Sequence, residues 1–337
     1  HQAKGACAVV MRPSTGEILA MANRPTFDPN DMESPDWATV RNRCVSDTYE
    51  PGSTFKIVAL AAALEEGRAG LETPVFCENG RYEYAGFPLR DTGSYGMLTV
   101  KQAFQKSSNI AFAKLGIQMG ARGLYRHARA FGFGDEALGG MLPAEARGKV
   151  SPPDSWSEVS VSRVPIGYEV SVTPLQMAAA FCAVANRGVW MRPLLVKEVR
   201  DARGQIVARF APKPVRQVIR GETADSVIEA LEAVVSEEGT GKRAMVPNFT
   251  VAGKTGTTKK IDPLTKQYSE RRYMASFAGM VPSREPSFVV VVVIDEPQGD
   301  VYYGGLVAGP VFSAMAGRIA RHLDLEPVYP RAEVVRR

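Results

Sequence analysis

Ser53 and Lys56 stand three residues apart in Glu50-Pro51-Gly52-Ser53-Thr54-Phe55-Lys56, at the head of an Ala/Leu-rich run that ends before Gly67. Pro and Gly before the run and Gly after it predict a helix of about 14 residues, apolar nearly all round and therefore buried. On a helix that spacing puts both side chains on one face. The first turn offers unpaired backbone N–H groups and the positive end of the dipole, which favour an alkoxide at Ser53 and a neutral amine at Lys56. A neutral lysine takes a serine proton, so nucleophile and base would sit in one turn. A lone Ser-x-x-Lys arises by chance on the order of once in a chain this long. A serine at a helix start also serves as a cap.

Two other polar groups share this ambiguity. Ser107-Ser108-Asn109 closes a short predicted helix, and in isolation reads as a polar helix end. Lys254-Thr255-Gly256, followed by Thr257 and Thr258, falls on a predicted strand. A glycine inside a strand marks close approach of a ligand or another backbone, so Gly256 is expected to keep the way to the strand clear; in isolation the segment is also a strand end or turn.

Scarcity narrows the chemistry. The chain of 337 residues has three histidines, His1, His127 and His322, none near another His or a Cys, so a histidine-based triad or a multi-histidine metal site has little to draw on. The four cysteines, Cys7, Cys44, Cys77 and Cys182, are widely spaced without a C-x-x-C, which argues against zinc and thioredoxin-type chemistry. They read as buried free thiols, with a disulfide an alternative in an oxidising compartment. Lysine and arginine number 41 against 36 acidic residues, a formal net charge of +5, and the basic residues are scattered, so no nucleic-acid partner is expected. Hydrophobic residues make up 45% and charged residues 23%, an ordinary globular balance. The longest apolar run, Phe288–Ile294, is about a third of the length that spans a bilayer.

The elements that must hold these groups are legible in outline. Residues 5–12 and 17–23 predict a hairpin around Pro13-Ser14-Thr15-Gly16, and 24–36 a surface loop. Thr99-Val-Lys-Gln102 and Thr173-Pro-Leu-Gln176 fit the capping box and open helices near 100–106 and 174–186. Residues 109–131 and 223–238 predict amphipathic helices, 139–158 a loop, and 193–199 with 205–210 a peripheral hairpin. Residues 249–257, 274–281 and 288–294 predict strands, the last β-branched and continuous as in a strand covered on both faces. Residues 307–323 predict a final helix with Arg318, Arg321 and His322 at its C-terminus. The sheet is thus built from both ends of the chain.

The order Ser-x-x-Lys, Ser-x-Asn, Lys-Thr-Gly resembles the trio of active-site serine β-lactamases and penicillin-binding proteins. Arg41-Asn-Arg-Cys-Val-Ser-Asp-Thr-Tyr-Glu-Pro-Gly-Ser53-Thr-Phe-Lys56 resembles the nucleophile region of class B penicillin-binding proteins, most of all the cell-division type. Phe131-Gly-Phe-Gly134, Thr173-Pro-Leu-Gln176, Ala275-Ser-Phe-Ala-Gly-Met-Val-Pro282 and Gly304-Gly-Leu-Val-Ala-Gly-Pro-Val-Phe312 are similar to further blocks of that family. One block departs: Ile166-Gly167-Tyr168-Glu169 stands where many members carry Gly-Gln-Gly.

The resemblance implies an α/β (α+β) fold of the penicillin-binding transpeptidase and serine β-lactamase type: an antiparallel sheet sandwiched by helices, plus an all-helical lobe. One transpeptidase domain would span 1–337, with a sheet lobe from about 1–66 and 221–337, a mainly helical lobe at about 67–190 and the peripheral hairpin at about 191–212. It implies a peptidoglycan D,D-transpeptidase. Ser53 attacks the carbonyl between two D-alanines of a stem peptide and Lys56 accepts its proton. Ser107 relays a proton to the leaving amine, and Asn109 holds Lys56 and the substrate amide. Lys254 shapes the electrostatics, and Thr255 and Thr257 meet the substrate carboxylate. The backbone N–H groups of Ser53 and Thr257 form the oxyanion hole. No metal or cofactor is implied. β-Lactam antibiotics would acylate Ser53. In the cell the partners would be a membrane-embedded glycosyltransferase and other divisome proteins. The site would face the periplasm, with the family's membrane anchor and pedestal outside this chain. An elongation-type transpeptidase, a class D-like β-lactamase and a penicillin-sensing domain are the competing expectations.

Overall fold

A computed structural model describes residues 1–31 and 36–327; the expected 24–36 loop therefore falls partly outside the described residues. Five strands form one antiparallel sheet: β1 (Gly5–Met11), β2 (Ile18–Arg24), β3 (Ala252–Ile261), β4 (Tyr268–Val281) and β5 (Phe288–Asp295). Their order is β3-β4-β5-β1-β2, so both ends of the chain build the sheet and β3 is an edge strand. The register pairs Val9 with Val291, Phe277 with Val292, and Thr255 with Phe277.

The valine run explains why helices cover both faces. Side chains alternate along β5, so Val289, Val291 and Val293 enter one core while Val290, Val292 and Ile294 enter the other. The first and larger core also takes in α1 (Lys56–Glu65), α2 (Val100–Gln105), α3 (Asn109–Ala130), α4 (Pro174–Ala185) and α5 (Gly221–Val234). The second is closed by α6 (Gly304–His322), through Val307, Ala308, Phe312 and Ala316. Both expected capping boxes form. The Gln102 and Gln176 N–H groups donate to Thr99 Oγ1 at 3.2 Å and Thr173 Oγ1 at 3.1 Å, and each glutamine oxygen accepts from its threonine's N–H.

The segment between the two halves of the sheet is less purely helical than expected. It carries two short ribbons, Pro74–Phe76 with Met97–Thr99 and Arg81–Tyr84 with Phe87–Arg90. These strands are only three or four residues long, too short for a periodic signal to stand out. Within the same segment, α4 lies against β1 and β5 of the main sheet. The peripheral hairpin is Glu198–Arg200 with Ile206–Arg209. All four cysteines are buried and unpaired.

Truncating one valine of β5 tests this two-core reading. Val291→Ala should lower stability by about 2 kcal/mol, because the close-packed neighbours cannot fully collapse onto the space left. Chemical denaturation measures it, and a loss under about 0.5 kcal/mol would show that the site is loosely packed.

Candidate active site

Pro51 and Gly52 lead into a single 3-10 turn, Gly52–Phe55, before α1 begins at Lys56. In a 3-10 turn residues i and i+3 eclipse, which brings the two side chains closer than an α-helical turn would. Lys56 Nζ lies 3.1 Å from Ser53 Oγ. Thr54 Oγ1 donates to the Pro51 carbonyl at 2.8 Å and closes the turn.

Lys56 is fully buried, and burial pulls its amine down to about 7, against a smaller opposing pull from Asp91. Its two shortest contacts are to oxygens that only accept, the Ser107 carbonyl at 2.7 Å and Asn109 Oδ1 at 2.9 Å. A neutral amine has two N–H bonds and one lone pair. With both N–H groups given to those acceptors, the lone pair is left for the serine hydroxyls.

Ser107 reaches this point through the end of α2. The Ser107 N–H donates to Phe104 O and the Ser108 N–H to Ala103 O, at 3.1 and 2.8 Å, the paired bonds of a Schellman cap. The cap holds Ser107 in the left-handed region at φ +59°, unusual for a serine. It turns both the Ser107 carbonyl and hydroxyl toward Lys56. Ser107 Oγ stands 2.9 Å from Ser53 Oγ, 3.1 Å from Lys56 Nζ and 2.9 Å from Lys254 Nζ, so one hydroxyl touches the serine and both amines. Lys254 is also fully buried. Burial, and then the charge of Lys56, hold its amine well below the ordinary lysine range.

Ser108 then caps α3, accepting from the Ala111 N–H at 3.1 Å, which fixes Asn109 at the first helical position. Asp91 secures that end: its carboxylate accepts from Ser108 Oγ at 2.6 Å and from the N–H groups of Asn109 and Ile110. A carboxylate at a helix N-terminus is stabilising there. Asp91 escapes a reading of the sequence because it is a lone acid in a loop, with no spacing that ties it to Asn109.

β3 presents its two faces differently. Lys254 reaches inward to Ser107, and Thr258 Oγ1 donates to Glu50 O at 2.9 Å. Thr255 and Thr257 turn the other way. Thr255 Oγ1 pairs with Thr240 Oγ1 at 3.0 Å, and Thr257 Oγ1 accepts the Gly304 N–H at 2.8 Å. That bond leaves the Thr257 hydroxyl proton free to donate. Ser53, Ser107, Asn109, Thr255 and Thr257 line a cleft of about 460 Å³, with Tyr168, Tyr302 and Tyr303 along its walls.

Gly256 shows the close approach of another backbone that a glycine inside a strand marks. A Cβ there would come 2.3 Å from Ser276 Oγ, 2.9 Å from the Pro51 carbonyl and 3.0 Å from Thr54 Cγ2. The space is filled by Ser276 of β4 and by the Pro51–Thr54 turn that carries Ser53. Gly167 plays the matching part on the opposite side. Its carbonyl accepts the Gly52 N–H at 3.1 Å, and a Cβ at its φ of +83° would meet the Gly52 carbonyl at 2.1 Å. The departure from Gly-Gln-Gly thus keeps the glycine that touches the nucleophile turn. Glu169 occupies only a left-handed position, φ +60°, with its N–H donating to Glu50 Oε1 at 2.9 Å.

Comparison with known proteins agrees with this geometry. The family profile described as penicillin binding protein transpeptidase domain matches residues 6–317. The chain is 40% identical over 327 residues to stage V sporulation protein D of Bacillus subtilis (strain 168), covering 96% of this chain and 50% of that protein. It is 33% identical over 332 residues to peptidoglycan D,D-transpeptidase FtsI of Escherichia coli (strain K12), covering 97% and 53%. The chain therefore spans about half the length of these relatives. Among solved structures, the apo transpeptidase domain of penicillin-binding protein 3 from Burkholderia pseudomallei superposes with a TM-score of 0.85 at 34% identity, over 97% of this chain and 91% of that one. Penicillin-binding protein 3 from Mycobacterium tuberculosis, complexed with ampicillin, gives 0.87 at 32% identity, over 98% and 75%.

The packing of Gly256 makes a prediction about stability. Gly256→Ala should cost about 1–3 kcal/mol, the usual range for a side chain forced into a filled space. Thermal and chemical unfolding measure it, and an unchanged unfolding midpoint would show that the turn does not press on β3.

Proposed function

This chain belongs to the penicillin-binding-protein transpeptidase family, and on that footing we propose that it is a serine D,D-transpeptidase that cross-links peptidoglycan stem peptides through an acyl-enzyme on Ser53. The observation that carries the reading is a set of contacts of 3.1 Å or less in which Ser107 Oγ meets Ser53 Oγ and the buried amines of Lys56 and Lys254, and Lys56 also meets Ser53 Oγ. Neutral Lys56 takes the Ser53 proton as the oxygen attacks the carbonyl between the two terminal D-alanines. The Ser53 and Thr257 backbone N–H groups stabilise the oxyanion, the largest electrostatic contribution in acyl transfer. As the C–N bond breaks, the proton passes from Lys56 through Ser107 Oγ to the departing D-alanine amine. The amine of a second stem peptide then attacks the ester, returns its proton along the same path and frees Ser53.

The remaining assignments follow from what each group has left to offer. Thr255 and Thr257 hold the substrate's terminal carboxylate, Thr257 through the proton that Gly304 leaves free. Asn109 orients Lys56 through Oδ1 and presents its amide to the peptide. Lys254 shapes the electrostatics of the site through its contact with Ser107 Oγ. β-Lactams enter as mimics of the acyl-D-alanyl-D-alanine end and leave Ser53 acylated. On this reading the reaction takes place outside the cytoplasmic membrane, with a membrane-embedded glycosyltransferase and other division proteins as partners; the likeness to FtsI supports septal synthesis. The 40% identity to stage V sporulation protein D favours, as a second reading, wall synthesis during sporulation.

Labelled benzylpenicillin should attach to Ser53, Ser53→Ala should take no label, and Lys56→Ala should slow labelling on the order of 10³-fold or more, as when one member of a coupled catalytic unit is removed. D-Alanine release from a stem pentapeptide with an added amine acceptor tests the full reaction. An adduct on Ser53→Ala would refute the assignment. The lowered Lys56 pKa gives the pH dependence a sign. The base must be neutral, so the acylation rate should fall about tenfold per unit below pH about 7 and level off above it. A profile flat from pH 5 to 9 would show that Lys56 is not the base.

A further inference from the structure

The peripheral hairpin takes no part in the site. The chain leaves the body along Val189–Met191, runs through Glu198–Arg200 and Ile206–Arg209, and returns along Pro214–Gln217, which pairs with the outgoing strand. Its root is fixed. The Leu194 N–H donates to Gly16 O at 2.8 Å, and the Leu194 carbonyl accepts from the Ile18 N–H at 3.0 Å. Arg216 Nε donates to the Ala130 carbonyl at 2.6 Å, and its guanidinium lies over the Trp190 ring. Gly16 closes the turn into β2, so the hairpin stands at the β2 edge of the sheet, opposite the β3 edge that lines the cleft.

Its charge is one-sided. Basic residues occur throughout the chain, but their excess over acidic ones collects here. Residues 192–213 hold six basic residues and two acidic ones, a net of +4 against +5 for the whole chain. Both acids are already engaged. Glu198 is shared by Arg200 and Arg209, at 2.5 and 3.3 Å, and Asp201 Oδ1 accepts the N–H groups of Arg203 and Gln205 at 2.9 Å. Arg192, Lys197, Arg203 and Lys213 are exposed, and among the described residues their side chains meet no partner. Val199, Ile206, Val207 and Phe210 lie beside them, between 41% and 63% exposed. The two strands form a sheet of their own, and a ribbon of two strands is marginal in water without something packed on it. Val199 shares a face with its partner Ala208, and Ile206 shares the other with Arg200. Apolar groups therefore occur on both faces, which does not match the single apolar face that enters a bilayer. The free cations are spread along the ribbon rather than gathered in a pocket, as a repeating polyanion requires.

Resting on the transpeptidase reading above, we infer that this hairpin holds the wall polymer itself, a glycan strand whose stem peptides present free carboxylates at every repeat. The four free cations meet those carboxylates, and Val199, Val207 and Phe210 lie against sugar rings and alanyl methyl groups. The cleft takes one stem-peptide end. The hairpin, at the opposite edge of the sheet, holds the mesh around it, and so keeps stem peptides at an effective concentration that the cleft alone does not supply.

The test is co-sedimentation with purified sacculi stripped of other polymers, using chain already acylated by benzylpenicillin so that the cleft is filled. The acylated wild-type chain should pellet at low ionic strength and come off as salt is raised to about 0.5 M, where exposed charges are screened. The triple variant Lys197→Gln, Arg203→Gln, Lys213→Gln should bind sacculi roughly tenfold more weakly, the loss expected of three exposed ion pairs. Phe210→Ser should weaken binding without changing its salt dependence. Both variants should take benzylpenicillin, and release D-alanine from a soluble pentapeptide, at the wild-type rate, which shows that they are folded with the cleft intact. A wild-type chain that stays in solution, pelleting unmoved by the triple substitution, or tighter binding to phosphatidylglycerol vesicles than to sacculi would overturn the surface. A wild-type chain that takes no benzylpenicillin would overturn the transpeptidase reading and this inference with it.

Discussion

Two lysine amines are buried within reach of one hydroxyl, and most of the site's construction answers that fact. A charged amine taken out of water is destabilised unless neighbours replace its hydration, so burial pushes both toward the neutral form. Lys56 settles near 7, and Lys254, further depressed by its neighbour, is held well below the ordinary lysine value. The charge of Asp91 opposes this pull on Lys56. The rings of Phe112 and Phe104, 5.7 and 5.6 Å from the two amines, add their faces. A chain with three histidines, none of them lining the cleft, obtains in this way an amine whose proton affinity lies near neutral pH.

Holding a serine against those amines is a steric problem as much as an electrostatic one. The turn that carries Ser53 is clamped between β3 and the 166–169 segment. At Gly256 and Gly167 there is no room for a Cβ against the backbones of Pro51 and Gly52. Gly52 itself, at φ +54°, would place a Cβ 2.4 Å from Thr258 Cγ2. A further glycine, Gly304, lets the start of α6 approach β3 to within 2.1 Å of a hypothetical Cβ, and its N–H reaches Thr257 from there. Backbone-to-backbone contact of this kind leaves no rotamer to relax. It fixes Ser53 relative to Lys254 and Thr257, just over 200 residues further along the chain.

What the sequence could disclose divides along the same line. Features written in local chemistry were legible: both capping boxes, the buried helix after Ser53, the valine run shared by two cores, and the three polar motifs that the fold brings together. Features written in contacts between distant segments were not. Gly256 marked a close approach, but the sequence does not say which backbone lies against it. Asp91 carried no motif, and the short ribbons at 74–99 carried no period. The Gly167-Tyr168-Glu169 departure could be seen but not interpreted until the structure separated the position that touches Gly52 from the one that only needs a left-handed backbone.

The edge position of β3 gives the last step of the argument. An unpaired edge is normally a hazard, because its free N–H and C=O groups invite another strand. Here the helical lobe stands along that edge, which leaves a cleft where an extended peptide can lie. Strand alternation then sorts the side chains. Lys254, Gly256 and Thr258 turn toward the nucleophile segment, while Thr255 and Thr257 turn toward the Gly304 end of α6. A slip of one residue would exchange the two sets, taking the amine away from Ser107 and forcing a threonine into the space that admits only a glycine. The long pairing with β4, from Ala252 opposite Met280 to Lys259 opposite Tyr273, holds the register against that slip. The sheet's own hydrogen bonding therefore decides which face of the strand turns to Ser107 and the Ser53 turn and which turns to Thr240 and Gly304.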